Sequence, residues 1–124
     1  MKPLSIEPSA KTPGISADPE NGMIRIWGRS HPENTAQTYW PLMDWTDKYV
    51  KYPGEKTVIS IELEYFNTSS SKVILNILKK FEAIPDAMKS VTVRWHYEAN
   101  DEDDLETGES IAQMTNLNFE FVGI

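Results

Sequence analysis

The chain has 124 residues, no cysteine, and 19 acidic against 12 basic side chains, giving a formal net charge of −7. This length fits one domain with an unstapled core, and the missing cysteines exclude disulfides and thiolate metal sites. The scattered basic residues lack the positive footprint of nucleic-acid binding, and no segment approaches the ~18 apolar residues of a membrane span. Met1-Lys2-Pro3-Leu4-Ser5 carries no apolar leader run, so a cytoplasmic protein is expected.

Pro3, Pro8, Pro13 and Pro19 limit the first 21 residues to short edge strands, with Leu4 to Ile6 and Thr12 to Ala17 as the candidates. Asn21-Gly22 is a two-residue hairpin signal ahead of a strand near 23–28. Ser30-His31-Pro32-Glu33-Asn34 leads into a helix near 35–51, where Leu42, Trp45 and Tyr49 share one face. Pro41 either kinks that helix or starts it. A strand near 57–65 follows, with Thr57, Ile59, Ile61, Leu63 and Tyr65 on one side. Val73, Ile74, Ile77, Leu78 and Phe81 recur at helical spacing and place a second helix near 70–83. A strand near 90–97, a helix near 104–116 interrupted by Gly108, and a last strand near 118–122 complete the chain.

Strands alternating with helices from residue 23 onward imply parallel pairing through right-handed crossovers. Fully covered parallel strands read as continuous apolar runs. Here Ser60, Glu62 and Glu64 share one strand face, and Thr92, Arg94, His96 and Glu98 another. The expected fold is a single α/β domain over residues 1–124: a mixed, mostly parallel sheet with helices mainly on one face, STAS-like in outline. Glu62, Glu64, Arg94 and His96 then belong to the open face. Three loops, Arg29 to Asn34, Phe66 to Ser70 and Glu98 to Asp104, meet at the carboxyl edge of the parallel strands, where ligands and partners of open sheets gather.

The most informative loop is Tyr65-Phe66-Asn67-Thr68-Ser69-Ser70-Ser71-Lys72, a run of hydroxyls at a strand-to-helix turn. Free backbone N–H groups and the positive helix end suit an anion there, including a phosphate made on one of the hydroxyls. Thr68 or Ser69 is equally placed to be an ordinary helix N-cap, and spacing alone does not separate a cap from a phosphoacceptor. The acidic run Asp101-Glu102-Asp103-Asp104 lacks the alternating ligands and central glycine of a calcium loop and reads as the first turn of a helix. His31 and His96 stand in no metal-ligand spacing, and no phosphate-binding or nucleophile-elbow motif is present, so no metal, no cofactor and no catalytic residue is expected.

Ser30-His31-Pro32-Glu33-Asn34, Met43-Asp44-Trp45, Leu63-Glu64-Tyr65-Phe66-Asn67-Thr68-Ser69-Ser70 and Val93-Arg94-Trp95-His96-Tyr97 together resemble the SiaC family of bacterial regulatory phosphoproteins. The resemblance implies a non-enzymatic partner switch. Its phosphoacceptor is the threonine of the Asn-Thr-Ser-Ser turn, here Thr68, with Asn67, Ser69, Ser70 and Ser71 around the phosphate. A histidine-kinase-like Ser/Thr protein kinase adds the phosphate and a PP2C-type phosphatase removes it. The unphosphorylated form binds and activates a diguanylate cyclase, raising cyclic di-GMP and favouring biofilm. The logic is similar to that of STAS-type anti-sigma-factor antagonists.

A phosphate brings roughly −1.5 to −2 charges at neutral pH. The host helix tolerates it, with the Ser70 and Ser71 amides as expected donors and Ser69 and Ser70 as reserve acceptors. A partner packed on the loop, through His31, Pro32, Glu33, Asn34 and Phe66, meets a hydrated dianion instead. The competing reading is a small α/β ligand-binding domain or enzyme that uses His31 and His96 at the loop edge.

Overall fold

A computed structural model describes every residue from Met1 to Ile124. The elements are β1 (Leu4–Ile6), β2 (Gly14–Asp18), β3 (Met23–Ser30), α1 (Thr35–Tyr49), β4 (Thr57–Phe66) and α2 (Thr68–Lys80). A 3-10 turn (Phe81–Ala83), α3 (Ala87–Ser90), β5 (Val91–Tyr97), α4 (Glu102–Gln113) and β6 (Asn118–Gly123) follow. The six strands lie side by side in chain order, antiparallel from β1 to β3 and parallel from β3 to β6.

That order explains the layering. Three successive crossovers step in one direction, and crossovers of one hand then lay every helix on the same sheet face. The core is accordingly one cluster. Ile24, Ile26, Ile59, Ile61, Leu63, Val91, Val93 and Trp95 meet Tyr39, Leu42, Tyr49, Ile74, Ile77, Leu78 and Ile111 from the helices. The opposite face is polar, as the alternation requires. Arg25 forks onto Glu62 at 2.9 and 3.2 Å, Arg94 pairs with Glu120 at 3.5 Å, and Ser60 Oγ lies 3.1 Å from His96 Nε2. Partial burial raises the Glu62 carboxyl, but hydrogen bonds from Arg25 and Ser60 and the nearby charges of Arg25 and His96 outweigh it and hold the group below its usual range.

Several expectations are corrected. The β2–β3 connection is a four-residue turn rather than a two-residue one, because Asp18 pairs with Met23 and its carboxylate accepts from the backbone of Glu20 and Asn21. Gly22 supplies the left-handed backbone, φ 64°, that the turn needs. α1 does not start at Pro41. It runs from Thr35 through Pro41, capped by the Asn34 side chain on the Gln37 N–H at 3.1 Å. After Pro85 the chain enters α3 through Asp86 in the left-handed region, a short helix for which four residues carry no periodic signal.

The most consequential correction concerns Tyr65. Gly28 pairs with Leu63 but Arg29 pairs with Tyr65, so Glu64 is an extra residue bulged out of β4. The bulge reverses the side-chain phase. Tyr65 swings to the open face, with the Arg29 guanidinium 5.2 Å from its ring centre, while Phe66 turns inward, edge-on to Trp95 at 5.8 Å.

Candidate functional site

The carboxyl ends of β3 and β4 bring the N-termini of α1 and α2 side by side, each begun by an Asn-Thr pair. Asn34 caps α1, and Asn67 caps α2 by accepting the Ser70 N–H at 2.9 Å. The cap is therefore neither Thr68 nor Ser69. Thr68 is the first helical residue, exposed to solvent. With Ser70 N–H given to Asn67 Oδ1 and Ser71 N–H to the Asn67 carbonyl at 3.1 Å, neither of the two expected phosphate donors is free. The unpaired amides of this helix end are those of Thr68 and Ser69, which lack a carbonyl one turn back. Because the cap is a neighbour, Asn67→Ala is expected to cost ~0.5–2 kcal/mol and Thr68→Ala close to none, measured by chemical denaturation.

The four hydroxyls of the run have sharply different surroundings. Ser70 is fully buried. It donates to the Ser30 carbonyl at 3.0 Å and meets Ser30 Oγ at 2.7 Å, which in turn meets Tyr39 Oη at 2.7 Å. With the Ser70 proton spent on the carbonyl, the chain of donors runs from Tyr39 to Ser30 to Ser70. Burial pushes the Tyr39 phenol up to about 12, against the opposing hydrogen bonds of Ser30 and Ser70, so its proton is secure at any physiological pH. Ser70 is thus a buried link between β3, α1 and α2, and is unavailable as a reserve acceptor. Its position four residues before Ile74 and seven before Ile77, on the apolar stripe, is the sequence signal that marks it as interior.

Ser69 is exposed, but its hydroxyl donates to Asn67 Oδ1 at 3.1 Å and meets Thr35 Oγ1 at 2.8 Å. Ser71 donates to the Thr68 carbonyl at 2.8 Å. Of the four hydroxyls, only that of Thr68 has no hydrogen-bond partner within the chain.

Around this turn, Glu33 and Asn34 are exposed, whereas Pro32 is buried and Phe66 half-buried against the core. Pro32 therefore supports the loop from beneath, and the bulge at Glu64 leaves little of the Phe66 ring for a partner. His31 is half-buried, edge-on to Tyr65 at 5.4 Å, with its backbone N–H on the Lys11 carbonyl at 2.9 Å. His96 lies on the open face with Ser60, so the two histidines share no site. The sheet has no reversal in strand order, and hence none of the crevices in which α/β enzymes seat ligands. A depression of about 980 Å³ opens instead at the far end of the sheet between Asp18, Glu20, Lys48 and Tyr52. No group of three acidic, histidine or cysteine side chains is placed to hold a metal ion, and no helix is long and apolar enough to cross a membrane.

The model of the SiaC family regulatory phosphoprotein matches residues 6–124. The chain belongs to the SiaC family. It is 29% identical over 119 residues to an uncharacterized protein of Pseudomonas aeruginosa (strain UCBPP-PA14), covering 96% of this chain and 94% of that one. The crystal structure of apo-SiaC from P. aeruginosa superposes with a TM-score of 0.85 at 28% identity, covering 98% of this chain and 99% of that one. SiaC in the crystal structure of the diguanylate cyclase SiaD in complex with its activator SiaC, also from P. aeruginosa, gives a TM-score of 0.88 at 27% identity over the same shares. The sheet of six strands with one helical face is thus the fold of the SiaC family.

Proposed function

We propose that this SiaC-family chain is a phospho-switched activator of a diguanylate cyclase, with Thr68 as the residue that carries the phosphate. A Ser/Thr protein kinase adds the group, a PP2C-type phosphatase removes it, and only the unphosphorylated form docks on the cyclase. The observation that carries this reading is the free, exposed hydroxyl of Thr68 in a run whose other three hydroxyls are buried or hydrogen-bonded. The complex of a related SiaC with its cyclase supports the choice of partner.

The geometry makes a switch inexpensive for the host. Thr68 lies outside the core and outside the cap, at the positive end of a thirteen-residue helix. A phosphate there disturbs no packed side chain, and the free Thr68 and Ser69 amides face it. Its charge falls on whatever protein covers the turn, including the exposed Glu33 and Asn34 beside it. Cyclase stimulation tests this directly. Thr68→Ala is expected to stimulate cyclic di-GMP synthesis as the unaltered chain does, and Thr68→Asp to stimulate it several-fold less, since one carboxylate imitates a dianion only in part. Equal stimulation by both variants counts against the reading.

A further inference from the structure

We infer that Thr35, at the first position of α1, is a specificity-determining residue for phosphorylation: it holds the Ser69 hydroxyl so that the phosphoryl group goes to Thr68 in preference to Ser69. The inference rests on the reading of Thr68 as the acceptor and adds the device that distinguishes it from its exposed neighbour.

Phosphoryl transfer from ATP forms a bond between a hydroxyl oxygen and the γ-phosphorus while the bond to the β-phosphate oxygen breaks. ADP leaves, and the hydroxyl proton passes to a base on the kinase. The acceptor must therefore turn its O–H toward that base and present a lone pair in line with the phosphorus. Thr68 Oγ1 has no competing partner and is free to do both. Ser69 is exposed too and adjacent in sequence, so access alone does not choose between them.

The difference lies in hydrogen bonding. Ser69 Oγ spends its proton on Asn67 Oδ1 at 3.1 Å. At the 2.8 Å contact with Thr35 Oγ1 the proton must then come from Thr35, which occupies a Ser69 lone pair. Asn67 Oδ1 is itself fixed by the Ser70 N–H at 2.9 Å, so the acceptor of the Ser69 proton does not drift away. To react, Ser69 must give up its bond to Asn67 and turn its remaining lone pair to the phosphorus against the hold of Thr35. Thr35 comes from a different helix, whose first turn is fixed by the Asn34 side chain on the Gln37 N–H. The restraint is therefore built from the tertiary fold rather than from the tripeptide around the acceptor.

Replacing Thr35 removes one of the two restraints and leaves the Asn67 cap intact. The test is phosphosite mapping by mass spectrometry on the full chain and on Thr35→Val, Thr35→Ala and Thr35→Ser, each expressed in the native cell. The unaltered chain is expected to carry nearly all of its phosphate on Thr68, with a small measurable share on Ser69. Thr35→Val and Thr35→Ala should raise the share of phosphate on Ser69 about fivefold, the effect of one lost hydrogen bond of ordinary strength. Thr35→Ser, which restores a hydroxyl, should return it to Thr68. Thermal melts identify any variant that fails to fold, and either hydroxyl-free variant suffices for the comparison. A Ser69 share no higher in the folded hydroxyl-free variant than in the unaltered chain overturns the role of Thr35, as does a rise that Thr35→Ser leaves in place. Absence of phosphate from Thr68 in the unaltered chain instead overturns the assignment on which the inference rests.

Discussion

Trp95→Ala is expected to destabilise the protein by ~3–5 kcal/mol, a large part of the ~5–15 kcal/mol that holds a domain of this size together. The indole is almost completely buried on the sheet's helical face, on β5 and beneath α4. Its Nε1–H donates to the Asp104 carbonyl and to Asp104 Oδ1, both at 3.2 Å, which fixes the first turn of α4. Gly108 lies directly over the ring, where an added Cβ would come within 2.7 Å of the indole, so α4 approaches as closely as a glycine permits. Phe66, the last residue before the Asn67 cap, packs edge-on to the same ring. Truncation thus opens a cavity beneath α4 and loosens the end of β4 that presents Thr68. The Asp104 carboxyl, raised by burial and by its neighbours Asp101 and Glu98 against the hydrogen bond from Trp95, loses that bond as well. Urea titration followed by circular dichroism measures the loss. A change below about 1 kcal/mol would show that the ring does not bear this load.

Phosphorylation of Thr68 is expected to weaken cyclase binding by roughly 30- to 150-fold, corresponding to a coupling of only ~2–3 kcal/mol. The sign follows from which side of the interface solvates the phosphate. In the free chain the group faces water and a helix N-terminus, both favourable to negative charge. In a complex that covers the turn it must shed water against a partner surface chosen for a neutral hydroxyl. The chain's net charge of −7 offers no surplus of cations to compensate. The fold is expected to be indifferent, because Thr68 is exposed and its hydroxyl makes no hydrogen bond that the phosphate would break.

The sheet, its one covered face and the strand-to-helix placement of Thr68 were legible in the sequence, because each rests on a period. Thr57, Ile59, Ile61 and Leu63 alternate, Ile74, Ile77 and Leu78 recur at helical spacing, and polar Glu62, Arg94 and His96 mark the open face. What escaped depended on contacts between segments. The bulge at Glu64 has no glycine or proline in β4 itself, and the one residue that marks it, Gly28 at φ 91° where the register shifts, lies on the neighbouring strand; yet the bulge decides that Phe66 rather than Tyr65 enters the core. Asn67, Thr68 and Ser69 are all competent caps, and only the observed backbone selects Asn67. The four hydroxyls of the run are chemically alike on paper. Ser71 is engaged locally by the Thr68 carbonyl, but the burial of Ser70 and the second bond of Ser69 come from Ser30, Tyr39 and Thr35, more than 30 residues away.

Isothermal titration of a purified diguanylate cyclase partner with the chain in its unphosphorylated and Thr68-phosphorylated forms is the most direct measurement of the switch, with circular dichroism confirming that both forms are folded. The expected result is binding by the unphosphorylated chain and affinity at least about thirtyfold lower for the phosphorylated one, with superimposable spectra. Equal affinity of the two forms would contradict the account, because a modification that does not distinguish bound from free shifts no equilibrium.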